Sequence, residues 1–116
     1  MTYGIARRLG VTRLWSQGIT GKGLVVGIVG TGIDQQHHDL ESKILATKDF
    51  STRGIEDTIG HDTATAGIVA GKGAKNWRMR GIAYEASLAV AKVTQDDGSA
   101  EEDILIDALE WLAEQG

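Results

Sequence analysis

Leu24-Val25-Val26-Gly27-Ile28-Val29 is an unbroken apolar run, mostly β-branched. A strand with one wet face alternates polar and apolar residues, and this run does not. It reads as a strand buried on both faces, the situation of a parallel sheet covered by helices. Ala86 to Val93 repeats the pattern, and Ile44 to Phe50 is a further strand candidate. Between them, Asp62 to Gly71 reads as a helix of small residues able to lie close to a neighbour. Glu101 to Glu114 reads as an amphipathic helix. Its apolar face is Ile104, Leu105, Ala108, Leu109 and Leu112, and acidic residues in its first turn suit the positive end of the dipole. The first 20 residues read as short helical turns. The three tryptophans, Trp15, Trp77 and Trp111, are scattered and read as packing locally. Alternating strands and helices predict an α/β fold, a three-layer parallel β-sheet flanked by helices with right-handed crossovers.

A length of 116 residues fits a single domain, residues 1–116. The chain stops after a helix, where such a fold next requires a strand. The expectation is therefore a partial domain, truncated after the third core strand and its following helix. Twelve basic residues against 16 acidic ones give a net charge of −4, which argues against a nucleic-acid groove. No apolar run is long enough to span a membrane, and Met1-Thr2-Tyr3-Gly4 has no basic and apolar opening of an export signal. The absence of cysteine excludes disulfides and thiolate sites. Glycine is abundant, 16 residues, and proline is absent.

Three clusters carry chemistry. Gly30-Thr31-Gly32 follows a buried strand, and Asp49 closes the next one. Together they suggest a dinucleotide-binding, Rossmann-like module, although Gln35 stands where the third glycine of the fingerprint belongs. The plainer reading is a sharp turn above the sheet. Gly60-His61-Asp62-Thr63 opens a helix. His61 could be a general base, while Asp62 or Thr63 would serve as an N-cap. Asp34, His37, His38 and Asp39 could ligate a metal. Adjacent histidines rarely point at one ion, so a polar loop is the favoured reading and no metal or other cofactor is expected.

Taken in order, these segments resemble the N-terminal half of a subtilisin-like serine protease, a subtilase of peptidase family S8. Tyr3-Gly4-Ile5 and Leu14-Trp15-Ser16-Gln17-Gly18 are similar to the mature start of these enzymes, and Gly21 to Val29 to their first core strand. Thr31-Gly32-Ile33-Asp34 with His37-His38-Asp39-Leu40 resembles D-T/S-G-I-D…H-P-D-L. Gly60 to Ala70 resembles G-H-G-T-H-V-A-G-x-x-A, and Gly81 to Leu88 resembles G-V-A-P-x-A-x-L. Lys92-Val93 through Asp97-Gly98-Ser99 into Ile104 and Trp111 resembles the next strand, specificity loop and helix. His38 and Tyr84 occupy places where the family usually has proline.

The resemblance implies a subtilisin-like fold, with the first three strands ordered two, three, one. It also implies serine-protease chemistry through a Ser-His-Asp triad. His61 falls on the catalytic base. Gly30 stands where the triad aspartate belongs, Asp62 replaces a glycine beside the base, and Ala64 replaces a second histidine. A glycine cannot accept the imidazole N–H, so His61 reads as vestigial unless a carboxylate lies within about 3 Å of its ring. The nucleophilic serine and the oxyanion-hole asparagine belong to the family's second half. Gly98-Ser99-Ala100 aligns with the substrate-pairing segment, which adds a backbone ladder to an extended peptide. Asp39 matches a calcium ligand, but Lys75 in the aligned loop Gly73 to Met79 opposes calcium. The expectation is a degenerate peptidase homologue, a pseudoenzyme inactive alone, binding a peptide or a partner β-strand through self-association or a complementary chain. Half of a split endopeptidase is the alternative. The family is mostly secreted, so the compartment is left open.

Overall fold

The computed structural model describes residues 2–51, 54–95 and 99–116. Two short helices, α1 (Thr2–Arg8) and α2 (Val11–Ser16), precede strand β1 (Val25–Gly30). Strand β2 (Ile44–Asp49), helix α3 (His61–Ala70), a 3₁₀ turn (Trp77–Met79), strand β3 (Ser87–Lys92) and helix α4 (Glu102–Ala113) follow. The sheet is parallel throughout, in the order β1-β3-β2. This is the order that the family resemblance implied.

The sheet separates two apolar layers. On one face Ile28, Leu88 and Val90 join Ile33, Leu40 and the small residues Ala66 and Ala70 of α3. On the other, Ala91 and Val93 meet Ala108 of α4, with Val29, Phe50, Ile104, Trp111 and Leu112 packed around them. β3 lies in the middle, and five of its six residues are buried. Continuous burial on both faces explains why its sequence does not alternate.

Three sequence expectations need correction. The run from Leu24 to Val29 is not buried on both faces: Ile28 is the one buried residue of β1 and Leu24 is exposed, because β1 lies beside β3 at the edge of the described sheet while β3 takes the middle. The apolar face of α4 is split. Ile104, Ala108 and Leu112 pack inward with Trp111, whereas Leu105 and Leu109 are exposed. The seam runs at i, i+4, i+7 and i+8, and 105 and 109 lie one residue further round the helix. The tryptophans do not pack locally. Trp15 donates its Nε1–H to the Ile82 carbonyl at 2.9 Å and meets Tyr84 edge-on. Trp77 meets Tyr3, and Trp111 meets Phe50.

Gly81, Ile82 and Ala83 close the carboxyl end of α3. Their amides donate to the carbonyls of Gly71, Ile68 and Val69 at 2.7–2.9 Å. They thereby satisfy acceptors that a helix end leaves open. The approach is close enough that a Cβ on Gly81 would lie 2.4 Å from the Ala70 nitrogen.

Candidate functional site

β1 ends at Gly30, and α3 begins at His61. Ligand sites of parallel sheets lie beyond the carboxyl ends of the strands, and these two ends meet there. Neither Asp62 nor Thr63 is the N-cap of α3. Gly60 occupies that position without a side-chain bond. Asp57 does the capping instead. Its Oδ2 accepts from the Thr63 amide at 2.9 Å and the Thr63 hydroxyl at 2.7 Å, and its Oδ1 accepts from the Gly60 amide at 2.7 Å. Burial alone would raise the pKa of Asp57. The bonds from Thr63 and Gly60, with one from the Thr31 hydroxyl, outweigh it and hold the group below the usual aspartate range.

Freed from capping, Asp62 turns inward. It is 3% exposed. Its Oδ2 accepts the Thr31 amide at 2.8 Å, and its own amide donates to Thr31 Oγ1 at 3.1 Å. Its Oδ1 lies 3.2 Å from His61 Nδ1. The space is available because residue 30 has no side chain. A Cβ on Gly30 would stand 2.6 and 2.7 Å from the two carboxylate oxygens of Asp62. Glycine at position 30 therefore does not leave the ring without a carboxylate beside it, since Asp62 provides one. The His61 side chain is 73% exposed while that of Asp62 is 4% exposed. The pair thus presents a wet ring on a buried anion. With Nδ1 held, such a ring can accept a proton at Nε2.

The other sequence candidates make contacts of their own. Asp34 is engaged in its own turn: its Oδ1 accepts the Gln36 amide, and its backbone N–H donates to Thr63 Oγ1. A cleft of about 360 Å³ is lined by Ile33, Asp34, Ile55 and Asp57. A second, of about 530 Å³, runs along α3 past His37, Asp57, Thr63 and Met79. His61 lines neither cleft. Of the substrate-pairing segment, Gly98 lies outside the described residues. The Ser99 carbonyl accepts the Gln95 amide at 2.8 Å, and Ala100 is exposed.

His37 and His38 stack with ring centroids 4.4 Å apart, and with Asp39 they bring possible ligand atoms within 4.8 Å of one another. The donor set does not fit the calcium that the family resemblance suggests. Two of the three groups are imidazoles, and calcium takes oxygen ligands. The Asp39 Oδ1 already accepts the Ala74 amide at 2.8 Å, and His37 Nδ1 accepts the Asp39 amide at 3.2 Å. Loop 73–79 thus offers Asp39 a donor where an ion would need acceptors.

The dinucleotide reading fails on topology. β2, which ends in Asp49, is separated from β1 by β3, so Asp49 is not on the strand beside the Gly30 turn. Its carboxylate is folded back onto its own loop, accepting the Ser51 amide at 2.8 Å and the Gly54 amide at 2.6 Å. The chain after Gly32 leads into a turn and β2, not into a helix that could meet a pyrophosphate.

Comparison with known proteins agrees with the fold. Residues 21–116 match the model of the Subtilase family, Peptidase_S8. The chain belongs to the subtilase family. It is 35% identical over 109 residues to the major intracellular serine protease of Bacillus subtilis (strain 168), covering 88% of this chain and 34% of that protein. It is 41% identical over 98 residues to the serine protease AprX of the same organism, covering 82% of this chain and 22% of AprX. Among solved structures, the CspB protease of Clostridium perfringens superposes with a TM-score of 0.81 at 25% identity, over 90% of this chain and 28% of that one. Sphericase superposes with a TM-score of 0.75 at 28% identity, over 83% of this chain and 33% of that one. This subtilase chain therefore spans about a third or less of the relatives it matches. Sequence reasoning missed the position of Asp62 in it. The signal for it lay in the family resemblance, which implies an acid at 30 and a glycine at 62 where this chain has Gly30 and Asp62.

Proposed function

We propose that these residues carry the base side of a subtilase serine-peptidase site, with His61 as general base, and that this polypeptide alone turns over no peptide bond. One observation carries the reading: an exposed imidazole at the start of α3, beside the carboxyl end of β1, with Nδ1 already engaged. In such a site Nε2 takes the proton of a serine hydroxyl as its oxygen attacks the peptide carbonyl. It then returns that proton to the leaving amine. The family resemblance puts the serine and the oxyanion-hole asparagine in the second half of the fold. They would come from continuing polypeptide or from a separate chain. Ser99 and Ala100, with Gly98, are the residues proposed to pair with an extended peptide.

A serine-reactive fluorophosphonate tests this. The 116-residue chain is expected to take no label. Mixed with a polypeptide carrying the second half of the fold, it is expected to promote labelling of that partner's serine, and H61A is expected to abolish turnover, by up to about a million-fold. Peptide hydrolysis by the 116-residue chain alone, with contaminants excluded, would overturn the inactive part. Full activity of complemented H61A would overturn the base assignment.

A second reading concerns partners. Among the described residues β1 is an edge strand, paired on one side by β3. Strand edges accept further strands. We propose that this edge takes a β-strand from a partner chain or a second copy.

A further inference from the structure

We infer that Asp62 is the positioning residue of His61, and that the carboxylate of this site has been transposed from the strand to the helix. The inference rests on His61 being the base and identifies what orients it. The resemblance puts the family's acid at position 30, on β1, and a glycine at position 62, on α3. Here the two residue types are exchanged. The space between the elements admits one carboxylate, since a Cβ at Gly30 would lie within 2.7 Å of both Asp62 oxygens. Gly30 is thus the condition for Asp62 to sit where it does, and the two exchanges are one change.

Asp62 is anchored to Thr31 by two bonds, one through its carboxylate and one through its backbone amide. The Thr31 amide holds Oδ2 at 2.8 Å, and Thr31 Oγ1 receives the Asp62 amide at 3.1 Å. The Thr31 hydroxyl in turn donates to Asp57. Only Oδ1 is left to face the ring, at 3.2 Å from Nδ1. That is the long end of an N–H···O bond, and such contacts are often looser before substrate binds. An ionised carboxylate can only accept. It therefore selects the neutral imidazole with its proton on Nδ1, leaving the Nε2 lone pair free to take a proton.

The Thr31 amide makes the substitution D62N decisive. That N–H needs an oxygen, so the carbonyl of the substituted side chain must face Thr31 and its NH₂ must face His61 Nδ1. A donor at Nδ1 forces the ring proton onto Nε2, and the base is lost although the shape is kept. In complemented enzyme the expected loss of kcat is about 10⁴-fold, the cost of the wrong tautomer in serine proteases.

The experiment is ¹⁵N NMR of histidine-labelled 116-residue chain at alkaline pH, reading the Nδ1 and Nε2 shifts of His61. The expected result is the Nδ1–H tautomer in the wild type, the Nε2–H tautomer in D62N, and return of Nδ1–H in the reciprocal variant G30D/D62G. G30A alters neither His61 nor Asp62 chemically. It is expected to lose the Nδ1–H tautomer by displacing the carboxylate, and it serves if D62N does not fold. An Nε2–H majority in the wild type overturns the inference, as does a natively folded D62N or G30A that keeps Nδ1–H. The readout needs no serine, so a failure of complementation and a failure of this assignment are separate results.

Discussion

Asp57 shows how one side chain can settle the geometry of another. By taking the Thr63 and Gly60 amides it caps α3, which leaves Asp62 free to reach across to Thr31. Removing it should cost both jobs. D57A is expected to destabilise the fold by about 1 kcal/mol, the usual worth of a helix cap, measured by thermal or urea melting. Its lowered pKa has a definite sign. A carboxyl group whose pKa is lower folded than unfolded adds stability that is complete above the unfolded value of about 3.9 and is lost as pH falls through the folded one. Asp49 behaves likewise. Burial would raise its pKa, but the Ser51 hydroxyl and amide, the Gly54 amide and Lys92 together lower it. The melting temperature is therefore expected to hold steady from neutral pH to about 5 and to drop below about 4. D57N should show a shallower drop over the same window.

α3 is held at both ends by non-helical chain: Asp57 at its start, and the 81–83 segment at its finish. The second clamp depends on contact between backbones, and Gly81 is what permits it. G81A would place a methyl 2.4 Å from the Ala70 nitrogen, so the segment must retreat and release helix carbonyls. We expect a loss of roughly 1–3 kcal/mol, as for other overpacked sites, read as a fall of several degrees in melting temperature. β3 is the other organising element. Leu88 is fully buried within it, so L88A should cost about 2–5 kcal/mol. That loss would exceed the cost of D57A, because a cavity in the middle strand touches the layer on which α3 rests.

Among the described residues the molecule is a three-stranded parallel sheet between α3 and α4, with β1 and β2 as its edges. Leu24, just before β1, is exposed, as are Leu105, Ile106 and Leu109 of α4. This suits the proposed edge pairing. Sedimentation across a concentration series is expected to show mass rising with concentration, and V25K, which puts a charge on the edge strand, should shift the chain towards monomer. A single species of monomer mass over the series would remove the partner-strand reading. The base assignment and the Asp62 inference would be untouched, since both belong to the inner ends of β1 and α3.

Parallel strands, the burial of β3 on both faces, the alternation with helices and the position of His61 at the start of α3 were legible along the chain, whereas the same apolar pattern overstated the burial of β1. They follow from local patterning: β-branched runs, helical spacing, and motif blocks in order. Strand order came with the family resemblance and not from periodicity. The splitting of the α4 face, the long-range partners of the tryptophans and the place of Asp62 were not legible. Each depends on which surfaces meet in space. Thr31 and Asp62 are 31 residues apart in the chain, and the space left by a missing side chain at 30 exists only once α3 has crossed to the end of β1. Propensity and hydrophobic pattern report what a residue prefers beside its neighbours in sequence, whereas a carboxylate that enters a gap left by a glycine answers to packing.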